Sequence, residues 1–200
     1  MFLRYSYTFF LIFIEIKINY LKTKLLLLFI LSAGIVRSQD VYRTFSGDIA
    51  VSITRHDSIL LLVSNTLLVT LDYETSRINF KVDLESFSTG IDSLDRKLHL
   101  LKDMGIEFNG KLGITINSNR YDLQKYNMEG VITTATPPMP VRGNGSMSCI
   151  PSGDRLTPAC TLLLTMETTL SALHLSSVFP DAAEGVRIEL RQSILEKEKQ

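Results

Sequence analysis

A chain of 200 residues that is 45% apolar, 21% charged and free of low-complexity runs has room for one globular domain and a leader, but not for two full domains. Basic and acidic residues balance at 21 each, and setting aside residues 1–38, with Arg4, Lys17, Lys22, Lys24, Arg37 and Glu15, leaves a remainder of about −4. The Lys and Arg of that remainder are scattered among acids, so the clustered cations that displace counterions from phosphates are missing and no nucleic acid partner is expected.

Lys22 and Lys24 precede an apolar run from Leu25 to Val36, and Val36-Arg37-Ser38 offers residues that suit cleavage. These zones predict a secretion signal over 1–38, cut near Ser38, with translation starting nearer Leu21. A single domain over 39–200 would then reside in the periplasm or outside the cell. A bilayer span takes roughly 20 apolar residues, more than this run supplies, so no stable membrane anchor is expected.

The mature chain reads as β structure. Arg55-His56-Asp57 is a polar run between two β segments and is read as a turn rather than an acid–base pair. Val63 to Asp72 is continuously apolar and β-branched, as in a strand covered on both faces. The clearest strand is Ile78 to Glu85, where Ile78, Phe80, Val82 and Leu84 alternate with Asn79, Lys81, Asp83 and Glu85. In the segment that follows, Ile91, Leu94, Leu98 and Leu101 recur at spacings of three and four. With Asp92 and Asp95 as the capping pair, this predicts a helix of three turns between Gly90 and Gly105.

Period two returns at Ile106, Phe108, Leu112, Ile114 and Ile116, again at Tyr126, Met128 and Ile132, and at Val186, Ile188 and Leu190; Thr161 to Glu167 is a further strand. Asn109-Gly110 is a strong hairpin signal, yet the alternation runs straight through it, so a tight turn or, by preference, a bulge is expected there. Turns are predicted at Asn117 to Asn119, at Pro137-Pro138 with Pro140, and at Gly143-Asn144-Gly145; Pro180 to Glu184 suggests a short helical turn. Some eight strands and one helix call for a closed antiparallel barrel or a two-sheet sandwich, and the short connections favour an eight-stranded barrel.

Cys149 and Cys160 enclose a stretch in which Pro151 to Asp154 reads as a hairpin turn. In an oxidising compartment the pair suits a disulfide, because the short spacing and His neighbours of a redox or metal pair are missing. His56, His99 and His174 lie in unrelated contexts, and no nucleophile elbow, Walker loop or dinucleotide fingerprint is present. The expectation is therefore no catalytic residues, no metal, no cofactor and no enzyme; a reaction using His56, Asp57 and Asp72 is the minor alternative. Asn144-Gly145-Ser146 matches a glycosylation pattern and is read as a turn.

Eight strands enclose an interior that is either filled or holds one slender ligand. The alternation nominates Ile78, Phe80, Val82, Leu84, Phe108, Leu112, Ile114, Met128 and Ile132 as lining it, with ordinary core packing as the competing reading.

Taken in order, "INFKVDLESFSTGIDSLDRKL", "GIEFNGKLGI", "NMEGVITTATPPMPV", "TLLLTMETTLSALHL" and "EGVRIEL" resemble the layout of the YceI-like family over Ser46 to Leu190. The resemblance implies a secreted, lipocalin-like eight-stranded barrel with a helix near one mouth, binding polyisoprenoid or other long amphiphilic lipids in an elongated cavity. The expected function is that of an exported lipid-binding protein whose partner is a long-chain lipid or isoprenoid, with a homodimer left open. The alternative is a structural or adhesive β module with a filled core, docking a protein partner through Pro137 to Val141.

Overall fold

The computed structural model describes Lys24 and residues 41–44, 47–117, 122–150 and 159–197. The predicted leader (Lys24 apart) and the predicted turn at Pro151 to Asp154 lie outside them.

Ten strands follow one another: β1 (Val41–Arg43), β2 (Asp48–Arg55), β3 (Ser58–Ser64), β4 (Leu68–Asp72), β5 (Arg77–Asp83), β6 (Gly105–Leu112), β7 (Gln124–Ile132), β8 (Met139–Ile150), β9 (Ala159–Thr169) and β10 (Ala182–Lys197). Every pairing is antiparallel, in the order β1-β4-β5-β6-β7-β8-β9-β10-β2-β3. The sheet is so strongly curled that β1 also pairs with β10, through Tyr42 with Lys197 and Arg43 with Glu196.

The expected count of eight strands is thus corrected to ten. Residues 44–47 separate β1 from β2, and the chain changes partner there: β1 pairs with β4 and β2 with β3. The apolar run from Val63 to Asp72 is likewise two strands, divided at Asn65, Thr66 and Leu67. At that break the Ser64 hydroxyl is within hydrogen-bond reach of Ser86 Oγ (2.7 Å) and Thr66 Oγ1 (3.1 Å) and accepts from the Thr66 amide (3.2 Å), so side chains take over where ladder bonds stop.

Strand alternation produces one dry face. In β5, Ile78, Phe80 and Val82 are buried while Arg77, Asn79, Lys81 and Asp83 are exposed. β9 repeats the pattern with Cys160, Leu162, Leu164, Met166 and Thr168. All of these but Thr168 join the inward residues of β2, β4, β6, β7 and β10 in one apolar cluster. Two connections are compact turns. His56 and Asp57, both at positive φ (45° and 62°), make the two-residue turn of the β2–β3 hairpin, as expected of a turn whose twist matches its strands. Between β4 and β5, Asp72 accepts hydrogen bonds from the Glu74 amide (2.9 Å) and from the amide and hydroxyl of Thr75 (3.1 and 2.6 Å).

The helix, α1 (Asp92–His99), is shorter than the three turns expected. Leu94 and Leu98 are buried, whereas Ile91 is the N-cap and is 45% exposed, so it leaves the apolar face assigned to it. Asp92 does not cap. Asp95 instead reaches back to accept from the Thr89 amide (2.7 Å), Thr89 Oγ1 (2.6 Å) and Ser88 Oγ (2.9 Å), a carboxylate serving amides just before the first turn.

Three predicted turns dissolve into strands. β6 runs through Asn109-Gly110 without a register shift, so neither turn nor bulge forms there. Gly110 faces Gly130 across the ladder, and the Phe108 ring lies over both: a Cβ at either position would run into that ring. Phe108 also stacks on Phe80, with centroids 4.9 Å apart. β8 likewise runs through Gly143-Asn144-Gly145, because these glycines make room for Met128 and Tyr126 rather than for a turn. Pro180 to Glu184 is no helical turn, since β10 begins at Ala182.

Cys149 and Cys160 stand directly opposite each other on β8 and β9 and are bridged, with Cα atoms 4.0 Å apart. Replacing both with Ala should lower stability by about 2–3 kcal/mol, as expected for a loop this short; urea denaturation of the two proteins under oxidising conditions measures it. Gly130→Ala should cost roughly 1–3 kcal/mol, because its Cβ overpacks the Phe108 ring and the Asn109 carbonyl. The same denaturation experiment, with the Gly185→Ala control where a Cβ meets open space, separates overpacking from a general glycine effect.

Candidate functional site

The nine nominated residues converge. Ile78, Phe80 and Val82 lie on β5, Phe108 and Leu112 on β6, and Met128 and Ile132 on β7, with Leu84 in a 3-10 turn (Leu84–Ser86) and Ile114 just past β6. The ladders set Phe80 beside Phe108, Phe108 beside Ile132, and Leu112 beside Met128. All except Ile114 are at most 3% exposed; Ile114 is half-buried and packs against the same cluster. They form one continuous apolar patch on the inner face of three neighbouring strands.

The inner face extends beyond them. Leu162, Leu164 and Met166 come from β9, Ile188 and Leu190 from β10, and Val51 and Ile53 from β2. A further contribution escapes sequence reasoning. The β9–β10 connection buries Leu170, Leu173, Leu175, Val178 and Phe179 without belonging to any strand or helix. It is tied to the β7–β8 connection by His174, whose Nε2 lies 2.7 Å from the Thr134 carbonyl. The apolar density of "LSALHLSSVF" is the signal that could have found it.

Electrostatically the inner face is neutral among the described residues. The buried polar side chains are Thr44, Ser64, Ser76 and Thr168, and none carries a charge. Ion pairs sit outside: Lys81 with Glu107 (3.0 Å), Arg142 with Glu129 (3.1 Å), and Glu189 with both Arg187 (2.9 Å) and Arg191 (2.8 Å). Three tyrosines, Tyr42, Tyr73 and Tyr126, are buried in the cluster. Burial pushes both Tyr126 and Tyr73 well above the ordinary phenol range, so both stay protonated. Tyr126 donates to the Leu163 carbonyl at 2.7 Å.

A concavity of about 900 Å³ opens on the other face of β7–β10, where Lys125, Asn127, Asn144, Ser146, Thr165 and Arg191 point outward. Of the nine nominated residues it touches only Ile114. It is open, and its lining mixes those polar groups with Leu123, Leu163, Leu164 and Leu190, so it encloses a long apolar chain less fully than the buried inner face, which is the better candidate for such a ligand.

The residues of the minor enzymatic reading are not brought together. His56 and Asp57 form the β2–β3 turn, while Asp72 is committed to the β4–β5 turn. Among the described residues no group of His, Cys, Asp and Glu is placed to hold a metal ion, and no helix is long and apolar enough to cross a membrane.

No protein-family model and no curated protein matches this sequence. Among solved structures the chain is similar to a polyisoprenoid binding domain from Saccharophagus degradans implicated in plant cell wall breakdown. The TM-score is 0.60 at 6% identity, over 81% of this chain and 100% of that one. It is also similar to BcnA of Burkholderia cenocepacia, with a TM-score of 0.49 at 13% identity, over 76% of this chain and 96% of that one. The first likeness establishes the fold: the chain has the YceI-like fold that its sequence resembles.

Proposed function

We propose that this is an exported lipid-binding protein that holds a long-chain isoprenoid or other amphiphilic lipid against the inner face of its curled sheet. The observation that carries this reading is the unbroken apolar inner face, free of charge among the described residues, on a fold shared with a polyisoprenoid binding domain. An apolar chain that leaves water for such a surface gains about 0.8 kcal/mol per methylene. Affinity of that kind needs no motif, which accords with a site built only of Ile, Leu, Val, Phe and Met.

Room for the ligand is supported by the kind of side chain that fills the interior. Met128 and Met166 stand directly opposite Gly143 on the strands to either side, and the Met128 methyl reaches to 3.0 Å from where a Gly143 Cβ would be. Met147 is buried on the same strand as that glycine. Unbranched thioethers change rotamer at small cost and can vacate space that β-branched residues could not.

The second reading, a filled β module that docks a protein, draws on the near-complete burial of the nominated residues in the ligand-free chain. Its docking surface would be the exposed Pro137, Pro138 and Pro140. Native mass spectrometry of the protein purified from its own host, followed by organic extraction, separates the two. The expected outcome is a co-purifying long-chain lipid. A bare protein mass together with no uptake of added polyprenol sinks the lipid reading in favour of the filled module. Sequencing the N-terminus of the same sample tests export, with Gln39 the expected first residue.

A further inference from the structure

Tyr73 continues the inward alternation of Val69 and Leu71 past the end of β4 and belongs to the apolar cluster. Its ring stacks on that of Tyr42, with centroids 3.6 Å apart and planes 10° from parallel. It is 8% exposed, and its hydroxyl, unlike that of Tyr126, has no hydrogen-bond partner among the described residues. An unpaired buried hydroxyl is destabilising, and Phe would fill the same space without it.

The backbone that carries the phenol is also held in place. The turn that carries it is tied down by Asp72 and by Ser76, whose hydroxyl donates to the Ile114 carbonyl at 2.6 Å and whose carbonyl accepts from the Leu112 amide at 2.9 Å. Leu112 and Ile114 are two of the nominated lining residues, so this turn is fastened to the apolar row, and Tyr73 belongs to the same apolar cluster. A rigid donor with a free position is the arrangement expected of a specificity contact.

We propose that the Tyr73 hydroxyl is the polar anchor of the interior site, hydrogen-bonding one uncharged oxygen, that of an alcohol or a carbonyl, at the end of an isoprenoid chain. This rests on the lipid-binding reading. The oxygen is uncharged because no ionised side chain is buried with Tyr73 among the described residues, and an anionic head brought there would be desolvated without a counter-charge.

The test compares geranylgeraniol, the hydrocarbon lacking its hydroxyl, and its monophosphate, titrated into wild type and Tyr73→Phe and followed by native mass spectrometry. Wild type should prefer the alcohol over the hydrocarbon roughly fivefold to tenfold, and over the monophosphate as well. Tyr73→Phe should lose the first preference, keep its affinity for the hydrocarbon, and melt at or above the wild-type temperature. Should the variant fail to fold, the wild-type comparison decides alone, since equal affinity for alcohol and hydrocarbon overturns the anchor. A preference that survives in Tyr73→Phe overturns it too, and tighter binding of the monophosphate overturns the uncharged oxygen. Wild type taking up none of the three probes would instead overturn the lipid-binding reading beneath it.

Discussion

A curled antiparallel sheet has one face to hide, and every strand must turn the same parity of residues toward it. Slipping one strand by a single residue would carry its whole apolar set to the solvent side. Here that parity is pinned at the centre of the sheet, where Phe108 stacks on Phe80 and lies across Gly110 and Gly130. A slip of β7 against β6 would replace Gly130 under the ring with Glu129 or Val131, and neither fits. The ion pairs of the outer face, such as Lys81 with Glu107 on paired positions of β5 and β6, agree with that register but are too exposed to impose it.

This explains which parts of the fold were legible. β5 announces itself because one face meets water and the other does not, so apolar and charged residues alternate without a break. The helix is legible through Leu94 and Leu98, although its N-terminus is misread: Asp92 has the right chemistry for a cap, but Asp95 does the work from inside the helix. The glycines mislead for a physical reason. Gly in a strand can mark a turn, or it can mark the place where a neighbouring ring needs the volume of a missing Cβ, and only the packed structure distinguishes them. Strand number is obscured similarly, since a break of only three residues, Asn65, Thr66 and Leu67, separates two apolar stretches that pair with different partners.

The candidate site was legible to the extent that it is a face. Alternation identifies the inward residues, and the ladders bring them together. It does not say whether that face meets only other side chains or also a ligand, because a filled barrel and a hollow one impose the same period on their strands. The buried β9–β10 connection was hidden for a related reason: its apolar residues follow no strand or helix period, so their density alone marks them as covered.

What favours a ligand over a merely packed interior is the choice of residues at equal hydrophobicity. A core selected for rigidity would fill the row across β7, β8 and β9 with branched side chains in fixed rotamers. This chain places Met128, Gly143 and Met166 there, a small residue between two adaptable ones. It also keeps a phenol at Tyr73 where Phe would pack as well. The methionines offer volume that can be vacated and the phenol offers one unsatisfied position, and both cost stability in an interior that never opens. A slender apolar chain ending in an uncharged oxygen would use both features at once, gaining along its length what the methionines give up and pairing the one buried hydroxyl left without a partner among the described residues.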